Sequence, residues 1–281
     1  MVDSPVWHAV VLGIIQGLTE FLPISSSAHL LLVPWIFGWD HLGLTFDVAL
    51  HIGTLLAVAI YFRRDFFQLT VDVHRSLARK AVAGPEDGRG RRVAWAIVIG
   101  TIPALVVGGL FGGTIEGVFR SPVVTVVTLS VFGVFLLLAD RYGEKNRDAD
   151  SVRWTDGLLI GCAQAVALIP GVSRSGVTIT AALLLGLARR DSARFSFLLA
   201  GPVVLLAGLK AVFDLWQSGG PDPHLVTPFA VGIIVSFATG FICISGFLRF
   251  LQKKDFVPFA IYRFLLASAI FYLLAASYLE S

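Results

Sequence analysis

Apolar runs long enough to cross a bilayer recur along the chain at about 46–62, 93–113, 122–140, 195–215, 228–248 and 258–278, each close to the roughly 20 residues that a spanning helix needs. Two further apolar stretches, at about 6–38 and 155–187, are each cut in the middle by a cluster of Pro, Ser and Gly. Their pieces of about 15 residues are too short to span, so each stretch predicts a re-entrant hairpin of two half-helices. The pattern predicts an all-α polytopic membrane protein, one integral membrane domain over 1–281 with six full spans and four half-helices. A mean hydropathy of +0.80, with 56% hydrophobic and 15% charged residues, excludes an ordinary soluble domain.

The two interrupted stretches are related. A shift of 148 residues lays Gly13 on Gly161, Gln16 on Gln164, Ser25 on Ser173 and Ser27 on Ser175, and a shift of 136 lays Pro122 on Pro258, Phe135 on Phe271 and Tyr142 on Tyr278. The order of elements is kept throughout, which predicts two repeats, at 1–142 and 155–281. Each holds one hairpin and three spans. An odd number of crossings per repeat inverts the second relative to the first.

Charge agrees with this topology. Of the 22 Lys and Arg, all but Arg120, Arg174, Lys210 and Arg263 fall on loops that share one face when the hairpins return to the side they entered. That face is predicted to be cytoplasmic, with both termini outside. The same distribution accounts for the net charge of +3 without invoking nucleic acid. The N-terminal run carries Asp3 and no early basic residue, and Gln16 and Glu20 interrupt it, so it does not read as a secretory signal. Cys162 and Cys243 lie in apolar helical sequence and read as packing residues. The loop at 63–92 reads as a hydrophilic connection. No residue pattern specifies an oligomer, and a homodimer is compatible with the reading.

The candidate chemistry lies at the two hairpin tips, "QGLTEFLPISSSAH" at 16–29 and "PGVSRSG" at 170–176. Irregular backbone at membrane depth must be buried in protein or line a watery cavity, so both tips are internal. Ser25, Ser26 and Ser27 sit where N-caps of the outgoing half-helix belong, and Gly171, Ser173, Ser175 and Gly176 repeat the device. Two facing helix N-termini make an anion site. Arg174 adds a planar fork suited to phosphate oxygens. Gln16 and Glu20 share a helix face, and a Glu beside phosphate calls for a cation such as Mg²⁺ or Ca²⁺, or else for a buried ion pair with Arg174. Ser26 and His29, three apart, offer a serine activated by histidine, a histidine acting on phosphorus, or a cap and a structural hydrogen-bonder. His51, four residues after Asp47, reads as a packing histidine or one that supports the site, ahead of a catalyst.

These two segments, in this order and setting, resemble the signatures of the undecaprenyl-diphosphate phosphatase (bacitracin resistance) family, and "FDVALHIGTLLAV" at 46–58 extends the match. The resemblance implies a phosphatase of the bacterial inner membrane. It would hydrolyse a C55 polyisoprenyl diphosphate to the monophosphate, recycling the lipid carrier of cell-wall synthesis, with its chemistry facing outside. It implies a divalent cation at Glu20 and Gln16, a serine and histidine at Ser26 and His29, and an arginine loop at Ser173, Arg174 and Ser175. Gln16 stands where the family motif is acidic, and Ser27-Ala28 stand where many relatives have Thr-Gly. Inverted repeats with broken helices are also the plan of secondary transporters, so an anion carrier or lipid-phosphate flippase is the rival reading.

Overall fold

The computed structural model describes residues 4–39, 43–78, 87–217 and 223–279, and among them every long element is an α-helix. The first interrupted stretch forms α1 (Pro5–Thr19) and α2 (Ser26–Phe37), and the second forms α7 (Trp154–Val166) and α8 (Arg174–Leu184). At about 1.5 Å per residue these pieces are about 16–23 Å long, short of the hydrocarbon core. Between them run α3 (Leu44–Tyr61), α5 (Asp87–Phe119), α6 (Pro122–Tyr142), α9 (Arg189–Gln217), α10 (Val226–Phe250) and α11 (Val257–Leu279). Five of these, α5, α6, α9, α10 and α11, are each long and apolar enough to cross a membrane.

The loop expected at 63–92 is in part helical. Arg63–Leu77 forms α4, bent by 77° from α3, and the two count as one broken candidate span. Phe66 and Leu69 pack on the main core, while Arg194 donates to Asp65 at 2.5 Å and Trp95 donates to Ser76 at 3.1 Å. Its charged residues hid this apolar stripe from a span search. The 79–86 segment, with Arg79 and Lys80 of the basic face, lies outside the described residues.

Small residues bring the half-helices onto the spans. A Cβ on Gly17 of α1 would meet Thr239 and Gly240 of α10 at 2.6–2.7 Å, and one on Gly161 of α7 would collide with the Gly100 carbonyl oxygen of α5. Such close backbone approach is how helices associate in lipid, where burial from water gives no driving force between them. It fixes each hairpin against a span from the other half of the sequence. The largest buried cluster joins Phe21 of the first tip to Leu136, Ile179, Phe197 and Phe247.

Candidate active site

Each tip is built the same way. Ser25 caps α2, accepting from the Ala28 N–H at 3.4 Å, and Ser173 caps α8, accepting from the Gly176 N–H at 3.1 Å. The backbone φ is 72° at Ser25 and 71° at Ser173, a left-handed conformation that side chains rarely adopt and that persists only where surrounding structure enforces it. Ser25 and Ser27 hydroxyls pair at 3.1 Å, and Ser173 and Ser175 hydroxyls at 3.3 Å. The second tip also needs Gly171 at φ +87°, because a Cβ there would collide with the Thr128 hydroxyl.

Cross-links hold the tips together. Arg174 Nη2 donates to Glu20 Oε1 at 2.6 Å, and the Ser175 hydroxyl donates to the Leu22 carbonyl at 3.0 Å. Beneath them lies Arg263 of α11, fully buried. Its Nε donates to Leu129 O, its Nη1 to Pro23 O and Val172 O, and its Nη2 to Thr128 O and Gly171 O, at 3.0–3.3 Å. A guanidinium has five N–H donors. All five serve carbonyls, three of them released by the irregular backbone of the two tips. An unsatisfied carbonyl in such a setting costs about 1–3 kcal/mol, so one side chain offsets several such losses. In the sequence Arg263 is a lone charge inside the apolar run at 258–278, and a charge at such a position marks function by default.

Glu20 is the centre of the polar cluster. It is buried, and its Oε2 accepts from Ser26 Oγ at 2.5 Å and from Gln16 Nε2 at 3.1 Å, with His51 Nε2 at 3.4 Å. The ion pair that the sequence left open for Glu20 is present, with Arg174, and the serine hydroxyl is attached to the same carboxylate. The expected Ser26–His29 pairing is replaced by other partners. His29 Nδ1 lies 2.7 Å from the Ser25 carbonyl and Nε2 lies 2.8 Å from the Tyr262 hydroxyl. A carbonyl only accepts, so Nδ1 carries the proton and Nε2 takes the Tyr262 O–H. The histidine beside the serine's carboxylate is His51, which the residue pattern marks for packing or support ahead of catalysis. Its spacing to Asp47 is visible in the sequence, but the approach to Glu20 is a tertiary contact with no local signal.

His51 and Ser27 line a cavity of about 170 Å³ whose walls include Leu30, Val48, Ile115, Leu168 and Pro170. The Arg120–Asp47 ion pair, at 3.3 Å, lines the same cavity. Its polar residues suit phosphate and its apolar walls suit a hydrocarbon chain. The cluster also holds candidate oxygen donors for a cation. Glu20 offers a carboxylate, and beside it Gln16 Oε1 is buried without a hydrogen-bond partner. In the geometry seen, however, it is the Gln16 amide nitrogen that faces Glu20. No group of three or more His, Cys, Asp or Glu converges among the described residues.

The family model for bacitracin resistance protein BacA matches residues 9–269. The chain belongs to the BacA family. Its BacA relatives include undecaprenyl-diphosphatase 2 of Stutzerimonas stutzeri, 48% identical over 264 residues, covering 93% of this chain and 95% of that protein. The undecaprenyl-diphosphatase of Nitrosococcus oceani is 47% identical over 270 residues, covering 95% and 98%. That of Moorella thermoacetica is 43% identical over 265 residues, covering 94% and 96%. The BacA match takes in both hairpin tips, α3 and most of α11, and so every element that contributes to the polar cluster.

Proposed function

We propose that this chain is an undecaprenyl-diphosphate phosphatase, hydrolysing the terminal phosphoanhydride to give undecaprenyl phosphate and inorganic phosphate. In the cell this returns the lipid carrier to cell-wall synthesis and confers bacitracin resistance. The observation that carries the reading is the Glu20 carboxylate held between the Ser26 hydroxyl at 2.5 Å and the Arg174 guanidinium at 2.6 Å, at the N-termini of two half-helices.

The residues divide the work as follows. The helix N-termini at Ser25–Ser27 and Ser173–Gly176 bind the diphosphate, and Arg174 neutralises its charge. Ser26 Oγ attacks the terminal phosphorus and passes its proton to Glu20. The bond from phosphorus to the bridging oxygen breaks, undecaprenyl phosphate leaves, and water then hydrolyses the phosphoserine to restore Ser26. His29, held by Tyr262, fixes the Ser25 carbonyl and hence the cap beside the nucleophile. Glu20 and Gln16, the latter with its amide turned over, would hold a divalent cation, Mg²⁺ or Ca²⁺, which would supply further charge neutralisation.

The same reading sets the chain in the bacterial inner membrane as two inverted repeats, 1–142 and 155–281, with six spans, two re-entrant hairpins and both termini outside. Support comes from Ser25 and Ser173, which share one rare backbone conformation at the predicted shift, and from Gly17 and Gly161, which seat α1 and α7 on α10 and α5. The rival carrier reading uses the anion site without a nucleophile. Purified protein in detergent, where no second compartment exists, separates the two. A phosphatase releases inorganic phosphate from a long-chain isoprenyl diphosphate and stops when EDTA is added. A carrier releases none, and that result would sink the proposal.

A further inference from the structure

We propose that a cavity of about 700 Å³ between α4, α5 and the start of α7, walled by Arg91, Arg92, Trp95, Ile99, Arg153 and Trp154, binds the headgroup of an anionic phospholipid. The bound lipid clips the second hairpin to the helix on which it is seated. The cavity lies apart from the polar cluster at the hairpin tips, and the inference does not rest on the phosphatase reading.

Charge is the first argument. Arg91, Trp95 and Ile99 follow one another at intervals of four and share one face of α5, with Arg92 beside them. Arg153 joins them from the N-terminus of α7. Among the described residues, none that lines the cavity is acidic. The neighbouring acids are engaged elsewhere. Asp156 accepts from Arg147 Nη2 at 2.6 Å and from the Arg153 backbone N–H at 2.9 Å, and Asp72, buried on α4 against Gly90, accepts from Gln68 at 3.1 Å. The ion pairs that tie the basic loops together, Arg147–Asp156, Arg189–Asp140 and Arg194–Asp65, leave out all three cavity arginines. Three guanidinium groups around one cavity repel one another, and their planar forks match the oxygens of a phosphate.

The apolar part of the cavity selects a lipid over a free anion. Arg91 stands near the start of the spanning part of α5, Gly88–Ile115, and Ile99 lies about 12 Å further along the same helix. The cavity thus runs from guanidinium groups toward hydrocarbon depth, as a headgroup and the first carbons of its acyl chains do. Two tryptophans stand at that boundary, where amphipathic indoles concentrate. Trp95 donates its ring N–H to Ser76 Oγ at 3.1 Å, and Trp154 is 55% exposed. Basic pockets between membrane helices are docking places for anionic headgroups. The consequence is structural. Trp95 and Ile99 directly precede Ala96 and Gly100, the α5 residues against which Gly157 and Gly161 of α7 close. A phosphate held jointly by Arg92 and Arg153 therefore joins α5 to α7 along the seam that seats the second hairpin.

The test uses the full-length protein in detergent, with dioleoyl phosphatidylglycerol, dioleoyl phosphatidylcholine or inorganic phosphate as probe, read by native mass spectrometry and thermal unfolding. The expected result is a phosphatidylglycerol held on the order of tenfold or more tightly than phosphatidylcholine, with Tm raised by phosphatidylglycerol and by neither of the other probes. An arginine beside anionic lipid is worth about fivefold in affinity. Arg92→Gln/Arg153→Gln should therefore lower phosphatidylglycerol affinity by about thirtyfold and abolish the rise in Tm. Both side chains are exposed, so the variant should fold. Lys253→Gln/Lys254→Gln removes two exposed charges of the same basic face that do not line the cavity, and should leave both readouts unchanged. Equal retention of the two lipids by wild type, an equal rise in Tm with inorganic phosphate, or a loss in the lysine variant as large as in the arginine variant would overturn the proposal. The wild-type comparison decides even where a variant fails to fold.

Discussion

Ser25 and Ser173, 148 positions apart, hold the same left-handed backbone, at φ 72° and 71°, and each caps the half-helix that follows it. The cap and the strain make separable contributions. Replacing Ser173 with Ala removes the cap, at about 1 kcal/mol, and keeps a Cβ in an unfavourable φ region. Ser173→Gly loses the same hydroxyl, but glycine is at ease there. Thermal unfolding should therefore rank wild type, then Ser173→Gly, then Ser173→Ala. Ala more stable than Gly would show that the φ is not enforced.

Arg263 makes a sharper demand. Lysine keeps the charge but has three donors where arginine has five in a fixed fork. Arg263→Lys should leave at least two carbonyls unpaired, destabilising the protein by about 2–6 kcal/mol and loosening both tips. We expect a lower Tm together with a lower kcat. A variant with wild-type Tm and kcat would show that the tips hold themselves.

The Glu20–Arg174 contact predicts non-additivity. Arg174→Ala should reduce kcat/KM by on the order of 10²–10³, the usual effect of removing one group that stabilises transition-state charge. Because Arg174 contacts Glu20 at 2.6 Å and both serve the same displacement, the Glu20→Ala/Arg174→Ala double variant should lose far less than the product of the single losses. Steady-state phosphate release from the four proteins closes the cycle, and strict multiplication of the losses would count against a shared site.

His29 and Tyr262 provide a contrast within the same cluster. Tyr262→Phe removes the hydroxyl that engages His29 Nε2 at 2.8 Å but leaves the Nδ1 bond to Ser25 intact. Its kcat should fall by less than about tenfold, the scale of one lost hydrogen bond. A loss comparable to that of Arg174→Ala would place His29 in the chemistry itself.

Much of this architecture is legible in the residue pattern. Pro23 and Pro170 break the apolar runs where the half-helices end, and Ser25 and Ser173 mark the next helix starts, because capping and chain breaking are local properties. The helix α4 escapes the pattern because its apolar stripe, through Phe66 and Leu69, is narrow and lies among charges. His51 and Arg263 are undervalued by sequence for a different reason. Their roles depend on Glu20, Pro23 and Gly171, which are 31 to 240 residues away in sequence and brought near only by packing.

The central claim is that Ser26 attacks phosphorus while Glu20 takes its proton. The most direct measurement is phosphate release from undecaprenyl diphosphate by Ser26→Ala, with lipid binding measured on the same sample. The account predicts binding within a few-fold of wild type and a kcat lower by about 10³ or more, as when a nucleophile is removed. Ser26→Ala that turns over within about tenfold of wild type would contradict it.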